Sequence, residues 1–402
     1  MALQPGTAIG SITRLQRLWP ALVASLLVAI LLAGCTQNPL YRAAVDELPP
    51  LQFGGAVLSV DEVLATTSSP DLLALTPEMH EFVAHYATGT RNARQRLVNL
   101  HSAIKGDGVL GMHYDPFADG SATEVFQRGS ANCLSYANLF VALAREAGLD
   151  ASYQWLEVRP QWTRLGARVA VRLHVNVLVA LRNGEQFMVD IDPLQSRDIA
   201  DSRRLSDSDA VALHHNNIAM EALAEGEVEL AWQQGIKALS MSPGMSYLWV
   251  NLGAIYRAAG QPDAAEFSYL HALKLNPEDR SSMNNLVVLY GQQERELERG
   301  YWIERLDRYR ESNPFYHAWQ GDKAGEAGDW DTALVHYRRA LALRPGDSRL
   351  MYATGIIQYQ RGNFKAADDL ISQAIDTATL RGDIVDYRIQ LEAVRREATA
   401  GL

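Results

Sequence analysis

A 34-residue period runs through the second half of this 402-residue chain and constrains its fold more than any other feature. Gly226, Gly260, Gly328 and Gly362 fall on one grid, with Glu294 at the intervening position. Pro243, Pro277 and Pro345 keep the same spacing, as do Ala238, Ala272 and Ala340. A fixed period of this size marks stacked supersecondary units, each unable to bury its apolar face without a neighbour. Each unit reads as a helical hairpin. Small residues such as Gly253 and Ala272 let its two helices approach, a glycine such as Gly260 turns the chain between them, and a proline such as Pro277 ends the second. The units run near 212–245, 246–279, 280–313, 314–347 and 348–381. The third is degenerate, with Val287 and Glu294 at glycine positions and its proline displaced to Pro314. A last amphipathic stretch makes 383–402 a capping helix and tail.

Within 246–279 the pattern Trp249-x-x-Leu252-Gly253-x-x-Tyr256, then Ala265, Tyr269, Ala272 and Pro277, resembles the tetratricopeptide consensus, whose period is the same. The resemblance implies an all-α solenoid with a concave groove that commonly holds a peptide or a partner's helix. An external protein or peptide is the expected occupant; packing against the chain's own N-terminal domain is the alternative. His214, His215 and His271 lack a metal-ligand arrangement and read as surface residues, so no metal or cofactor is expected.

The N-terminus carries Arg14 and Arg17, no acidic residue, and then an uncharged apolar run over 18–33. That is the pattern of a secretory signal, and the run is short for a membrane span. Leu32-Ala33-Gly34-Cys35 resembles the bacterial lipobox, which implies cleavage after residue 34 and lipid attachment to Cys35. By the same resemblance, Thr36 in place of an aspartate implies the outer membrane, facing the periplasm. Removing 1–34 moves the formal charge from −10 to −12 and leaves 368 residues, enough for two domains. An acidic balance without a basic cluster argues against nucleic-acid partners. Pro49-Pro50, Gly54-Gly55 and Thr66-Thr67-Ser68-Ser69-Pro70 make 35–70 read as a tether with loops.

The mature chain then holds one thiol, Cys133, in a compartment where thiols are usually paired or absent. Helical patterning starts near Pro77 and again around Leu97, Leu100 and Ile104. After Cys133, the residues Leu134, Ala137, Phe140, Val141 and Ala144 repeat at helical spacing up to Gly148. Cys133 therefore lies in the first turn of a buried helix, with Ser130 or Asn132 as its N-cap. A helix start favours a thiolate and lowers its pKa, and the cysteine's own N–H could face a developing oxyanion. Strands are expected at 152–158, 169–181 and 186–192, with Asn183-Gly184 as a hairpin turn. His174 lies on the first hairpin strand, and Asp190 and Asp192 on the second.

The order Cys, His, Asp on helix, strand and strand resembles the transglutaminase-like (papain-like) thiol fold. Cys133-Leu134-Ser135-Tyr136-Ala137-Asn138, His174-Val175-Asn176-Val177 and Val189-Asp190-Ile191-Asp192-Pro193 match its three motifs. The expected architecture is an α+β transglutaminase-like domain over 71–205, followed by repeats over 212–381. By resemblance Cys133 is a nucleophile, His174 its base, and Asp190 or Asp192 the group that orients the imidazole. Asp190 fits the family's sixteen-residue separation and Asp192 its Asp-Pro ending, while Asn176 stands where an aromatic is common. A strict two-residue turn would pair residues whose numbers sum to 367, putting His174 on the opposite face from both aspartates. The set therefore requires a three-residue loop or a bulge. Gln127 is a further oxyanion-donor candidate, with a solvated loop glutamine as its alternative. His113 reads as structural.

The function expected is a periplasm-facing cysteine peptidase or amidase acting on protein presented by the repeats, with transamidation a lesser variant. The alternative is a non-enzymatic assembly lipoprotein whose thiol domain is a retained scaffold. A redox role is disfavoured by the lack of a resolving cysteine.

Overall fold

The computed structural model describes residues 45–106, 109–158, 173–194 and 199–400. The leader and Cys35 lie outside them. The chain divides into two compact units, 1–47 and Leu48–Leu402. Of the first, only a helical turn at residues 45–47 is described.

Residues expected to form a tether begin the second unit with regular structure. Strands β1 (Leu51–Phe53) and β2 (Ala56–Leu58) pair antiparallel, and helix α1 (Val60–Thr66) follows. Gly54 and Gly55 both adopt positive φ, so the pair read as a flexible loop is the hairpin turn itself. Ser59 and Glu62 form a reciprocal capping box that starts α1.

Helices α2 (Pro77–Tyr86) and α3 (Ala93–Lys105) follow. Strand β3 (His113–Tyr114) pairs in parallel with β4 (Ser130–Ala131) around the short helix α4 (Ala122–Arg128). Helix α5 (Cys133–Glu146) is buried at every position from Leu134 to Ala144, as expected of a helix that is apolar all round. It packs on strands β5 (Asp150–Val158) and β6 (Leu173–Ala180). With β7 (Gln186–Val189) and β8 (Ile199–Leu205) these form an antiparallel sheet of order β7-β6-β5-β8. The second hairpin strand ends at Val189, short of the expected 192, and β8 was not foreseen.

The remainder is five helical hairpins and a cap: α6 (Asp207–Glu225) with α7 (Val228–Met241), α8 (Ser246–Ala258) with α9 (Pro262–Leu275), α10 (Arg280–Gln292) with α11 (Glu296–Ser312), α12 (Pro314–Glu326) with α13 (Trp330–Leu343), α14 (Ser348–Gln360) with α15 (Phe364–Thr377), and finally α16 (Arg381–Ala400). A Cβ added at Gly253 would lie 2.5 Å from the Tyr269 ring, and one at Gly321 2.6 Å from the Tyr337 ring. In the third hairpin Val287 fills this space, Ile303 replaces the tyrosine, and Ile303 is exposed. Trp302 is the only fully buried residue of α11. The turn of this hairpin is made by Glu294 at φ 57°, the one non-glycine residue with positive φ among those described.

The repeats pack on the chain's own N-terminal domain. Trp155 on β5 meets Tyr247 of α8, with ring centroids 5.7 Å apart. Asp201 on β8 is paired with Arg344 at 3.2 Å, and Glu185 with Arg381 at 3.1 Å. Ser69 is hydrogen-bonded to His215, and Asp119 is paired with His214. Gln261 binds the Pro50 carbonyl and the Gln52 N–H. His215 is thus buried, not a surface residue, and His271 packs at a tilt against Trp249. Glu294→Gly should raise stability by up to about 1 kcal/mol by releasing the left-handed strain, and Gly253→Ala should lower it by about 1–3 kcal/mol through overpacking. Urea denaturation reads both changes, and a destabilised Glu294→Gly would contradict the strain.

Candidate active site

The start of α5 is fixed before its thiol is considered. The Asn132 side chain accepts from Ser135 N–H at 2.9 Å, and Ser135 Oγ accepts from Asn132 N–H at 3.0 Å. Ser135 Oγ then donates to the Ala118 carbonyl at 2.7 Å. The N-cap is therefore Asn132, and the helix start is tied to the loop ahead of α4. Within this buried turn Cys133 alone keeps partial exposure.

The sheet brings up the imidazole. Leu181 N–H donates to the Glu185 carbonyl at 2.8 Å, and Gly184 N–H to the Leu181 carbonyl at 3.0 Å. The β6–β7 connection is thus a three-residue loop, 182–184, closed by Gly184 at φ 86°. Its register pairs Val177 with Val189 and Ala180 with Gln186, so even-numbered residues oppose even-numbered ones. His174 and both aspartates consequently share a face. Beyond Val189 the chain bends: Asp192 N–H donates to Asp190 Oδ1 at 3.2 Å, and Lys105 Nζ holds the Ile191 carbonyl at 2.8 Å. The bend delivers the buried Asp190 carboxylate to Nε2 of His174 in a hydrogen bond. Asp192 is exposed. The choice that sequence left open is therefore made by the strand's end, which parity does not govern.

The thiol faces the same place. The Val175 N–H lies near enough to the Cys133 sulfur to favour its anion, and the Asp190 charge is within electrostatic reach of it. Burial pushes the Cys133 thiol above its ordinary pKa, and Asp190 adds to the rise. The N–H groups of Val175, Leu134 and Cys133 act in the opposite direction, as the helix-start argument expects, but burial outweighs them. The expectation of a lowered thiol pKa is thus corrected: desolvation, a tertiary property, prevails over the local dipole.

Gln127 is exposed on the last turn of α4, and no hydrogen bond joins it to the thiol among the described residues. His113 is exposed on β3. Sequence reasoning missed Lys105 and the Val175 N–H. Nothing in spacing links a lysine on α3 to a bend 85 residues later. The donor role of Val175 follows only from β7 ending early.

A thiol at a helix start, within reach of the Val175 N–H and of an Asp190 carboxylate that holds His174, is an arrangement of the kind that papain-like thiol domains share. The model of the transglutaminase-like superfamily matches residues 81–190, and tetratricopeptide models match 246–279 and 320–379. The chain carries a transglutaminase-like domain followed by a tetratricopeptide-repeat solenoid.

Among solved structures, the chain is similar to MamA (17% identity, 41% of this chain and 91% of that one, TM-score 0.23). It is also similar to YrrB, described as a repeat protein with an unusual peptide-binding site (19%, 44% and 91%, 0.23), and to PilF of Pseudomonas aeruginosa (16%, 49% and 100%, 0.24). Likenesses of this size say nothing of function. No curated protein matches the chain.

A thiol with a raised pKa holds its proton more tightly folded than unfolded. The stability this gives is full below the ordinary thiol range near about 8.5–9 and is lost as pH climbs from there through the raised folded pKa. The difference in thermal midpoint between wild type and Cys133→Ser should therefore shift against the wild type from pH 7 to 10 (~3 units). A difference that stays flat would contradict the burial effect.

Proposed function

We propose that the chain is a cysteine hydrolase of the amidase or peptidase type, with Cys133 as nucleophile, His174 as base and Asp190 as the group that orients the imidazole. The observation that carries this reading is the hydrogen bond from His174 Nε2 to a carboxylate buried beside the only thiol among the described residues. With Nε2–H committed to Asp190, the other ring nitrogen is the free base.

Because burial favours the neutral thiol, the proton leaves as attack occurs instead of resting as an ion pair. His174 takes the Cys133 proton while sulfur bonds to the amide carbonyl carbon, whose π electrons move to oxygen. Collapse of that adduct breaks the C–N bond, and the imidazolium returns the proton to the leaving amine. Water then gives a proton to His174 as its oxygen bonds to the thioester carbon. Collapse of this second adduct breaks the C–S bond, the imidazolium returns the proton to sulfur, and the acid leaves with Cys133 restored as the free thiol. The carboxylate of Asp190 stabilises the imidazolium in both halves. The Cys133 N–H is the oxyanion donor we favour over the exposed Gln127.

Tetratricopeptide repeats generally mediate protein or peptide binding. We take the substrate to be protein or peptide, brought by repeat surfaces that the thiol domain leaves open. We further propose a lipid anchor at Cys35 in the cell envelope, on the strength of Leu32-Ala33-Gly34-Cys35.

A second reading is a non-enzymatic scaffold, favoured by the same burial that raises the thiol and by the repeats' packing on their own thiol domain. Labelling of the purified protein with an electrophilic thiol probe separates the two. The enzyme reading expects Cys133 to label at least ~10-fold faster than in His174→Ala at neutral pH, with Asp192→Asn unchanged. Equal rates in wild type and His174→Ala would leave the scaffold.

A further inference from the structure

Beside the His174–Asp190 pair lie buried polar atoms that no described residue satisfies. Asn176 pairs directly with Gln154 across β6 and β5, so their side chains leave the sheet on one face. On the other side of Asn176, the position after the Val177–Val189 pair is that of Asp190. His174 shares this face, two residues away. Gln154, Asn176 and Asp190 thus form a line across three neighbouring segments of chain. Tyr136, one turn after Cys133 on α5, comes within electrostatic reach of the Asp190 charge. Asn176 and Tyr136 are each 1% exposed, Gln154 5% and Asp190 7%. Yet, among the described residues, both polar atoms of the Asn176 amide, Gln154 Oε1 and the Tyr136 hydroxyl have no hydrogen-bond partner.

Buried polar atoms without partners, three of them on the directly paired Asn176 and Gln154, are an arrangement that close-packed interiors avoid. Their chemistry is complementary to one small ligand. The Asn176 amide nitrogen and the Tyr136 hydroxyl offer protons. The Gln154 and Asn176 carbonyl oxygens and the Asp190 carboxylate need them. A water, which accepts twice and donates twice, meets both donors and two of the three acceptors.

We propose that at least one ordered water is built into this row, and that Asn176 acts through it as a positioning residue that holds Asp190 against His174. The water accepts from Asn176 Nδ2 and Tyr136 and donates to the Asp190 carboxylate and a neighbouring carbonyl. This gives the buried carboxylate a further donor beside His174 Nε2 and the Asp192 N–H. It also accounts for an amide at the position where the transglutaminase-like pattern commonly has an aromatic.

The inference rests on the His174–Asp190 pairing of the proposed site and not on turnover. If Cys133 proves unreactive, the enzyme reading falls and the water site stands.

The test is a high-resolution crystal structure of the purified protein, together with proton NMR of the imidazole N–H that His174 shares with Asp190. The structure is expected to contain a water within about 3.2 Å of both Asn176 and Tyr136. In Asn176→Leu the water should be gone, and the downfield imidazole resonance should move upfield or be lost. Asn176→Ser, which keeps a polar group and leaves room, should retain both. A dry site, or an Asn176 amide bonded directly to Gln154 or Asp190, overturns the proposal. So does an imidazole resonance unchanged in Asn176→Leu. Should Asn176→Leu fail to fold, the wild-type water and the Asn176→Ser resonance decide the matter.

Discussion

Everything at the candidate site depends on the register of one hairpin. The bond from Leu181 N–H to the Glu185 carbonyl closes a three-residue loop, and Gly184 takes the left-handed conformation that such a loop needs. An odd loop pairs residues of equal parity, so His174 and the acidic residues past Val189 meet on one face. One residue fewer would reverse the faces of β7 against β6 and carry the carboxylates away from the imidazole. The early end of β7 then completes the geometry. It releases Asp190 to reach His174, and it leaves the Val175 N–H to face the Cys133 sulfur.

The second constraint is the contact between solenoid and thiol domain. The first, second, fourth and capping elements of the repeat array touch the sheet or the segments around it, through His214 and His215, Tyr247 and Gln261, Arg344, and Arg381. The expectation that an external partner fills the array must share that array with an internal occupant. The third hairpin contributes least to its own packing, with Val287 where glycine would admit an aromatic ring. Its helix α11 accordingly leaves Leu297, Tyr301 and Ile303 exposed.

Much of this was legible in the residues because it is local. Helix boundaries in the repeats follow glycines and prolines on a grid, and even the irregular turn at Glu294 was marked by its position. The helix behind Cys133 was written in its apolar spacing, and the need for an odd loop was set by arithmetic on His174 and the two aspartates. What sequence could not supply is tertiary. Strand β8 carries Asp201, Arg203 and Arg204, shows no alternating pattern, and exists because β5 needs a second neighbour. Asp190 and Asp192 have the same parity, so only the bend held by Lys105 tells them apart. The direction of the thiol shift was misjudged because a helix dipole is visible in sequence and desolvation is not. The hairpin at 51–58 was hidden by turn residues that also suit a linker.

The central claim is that Cys133, His174 and Asp190 act as one unit. A double-substitution cycle on the rate of Cys133 alkylation tests it most directly. The account predicts that Asp190→Asn slows alkylation severalfold in the wild-type background and has no further effect once His174 is alanine. Equal effects of Asp190→Asn with and without His174 would mean that the carboxylate does not work through the imidazole, and would contradict it.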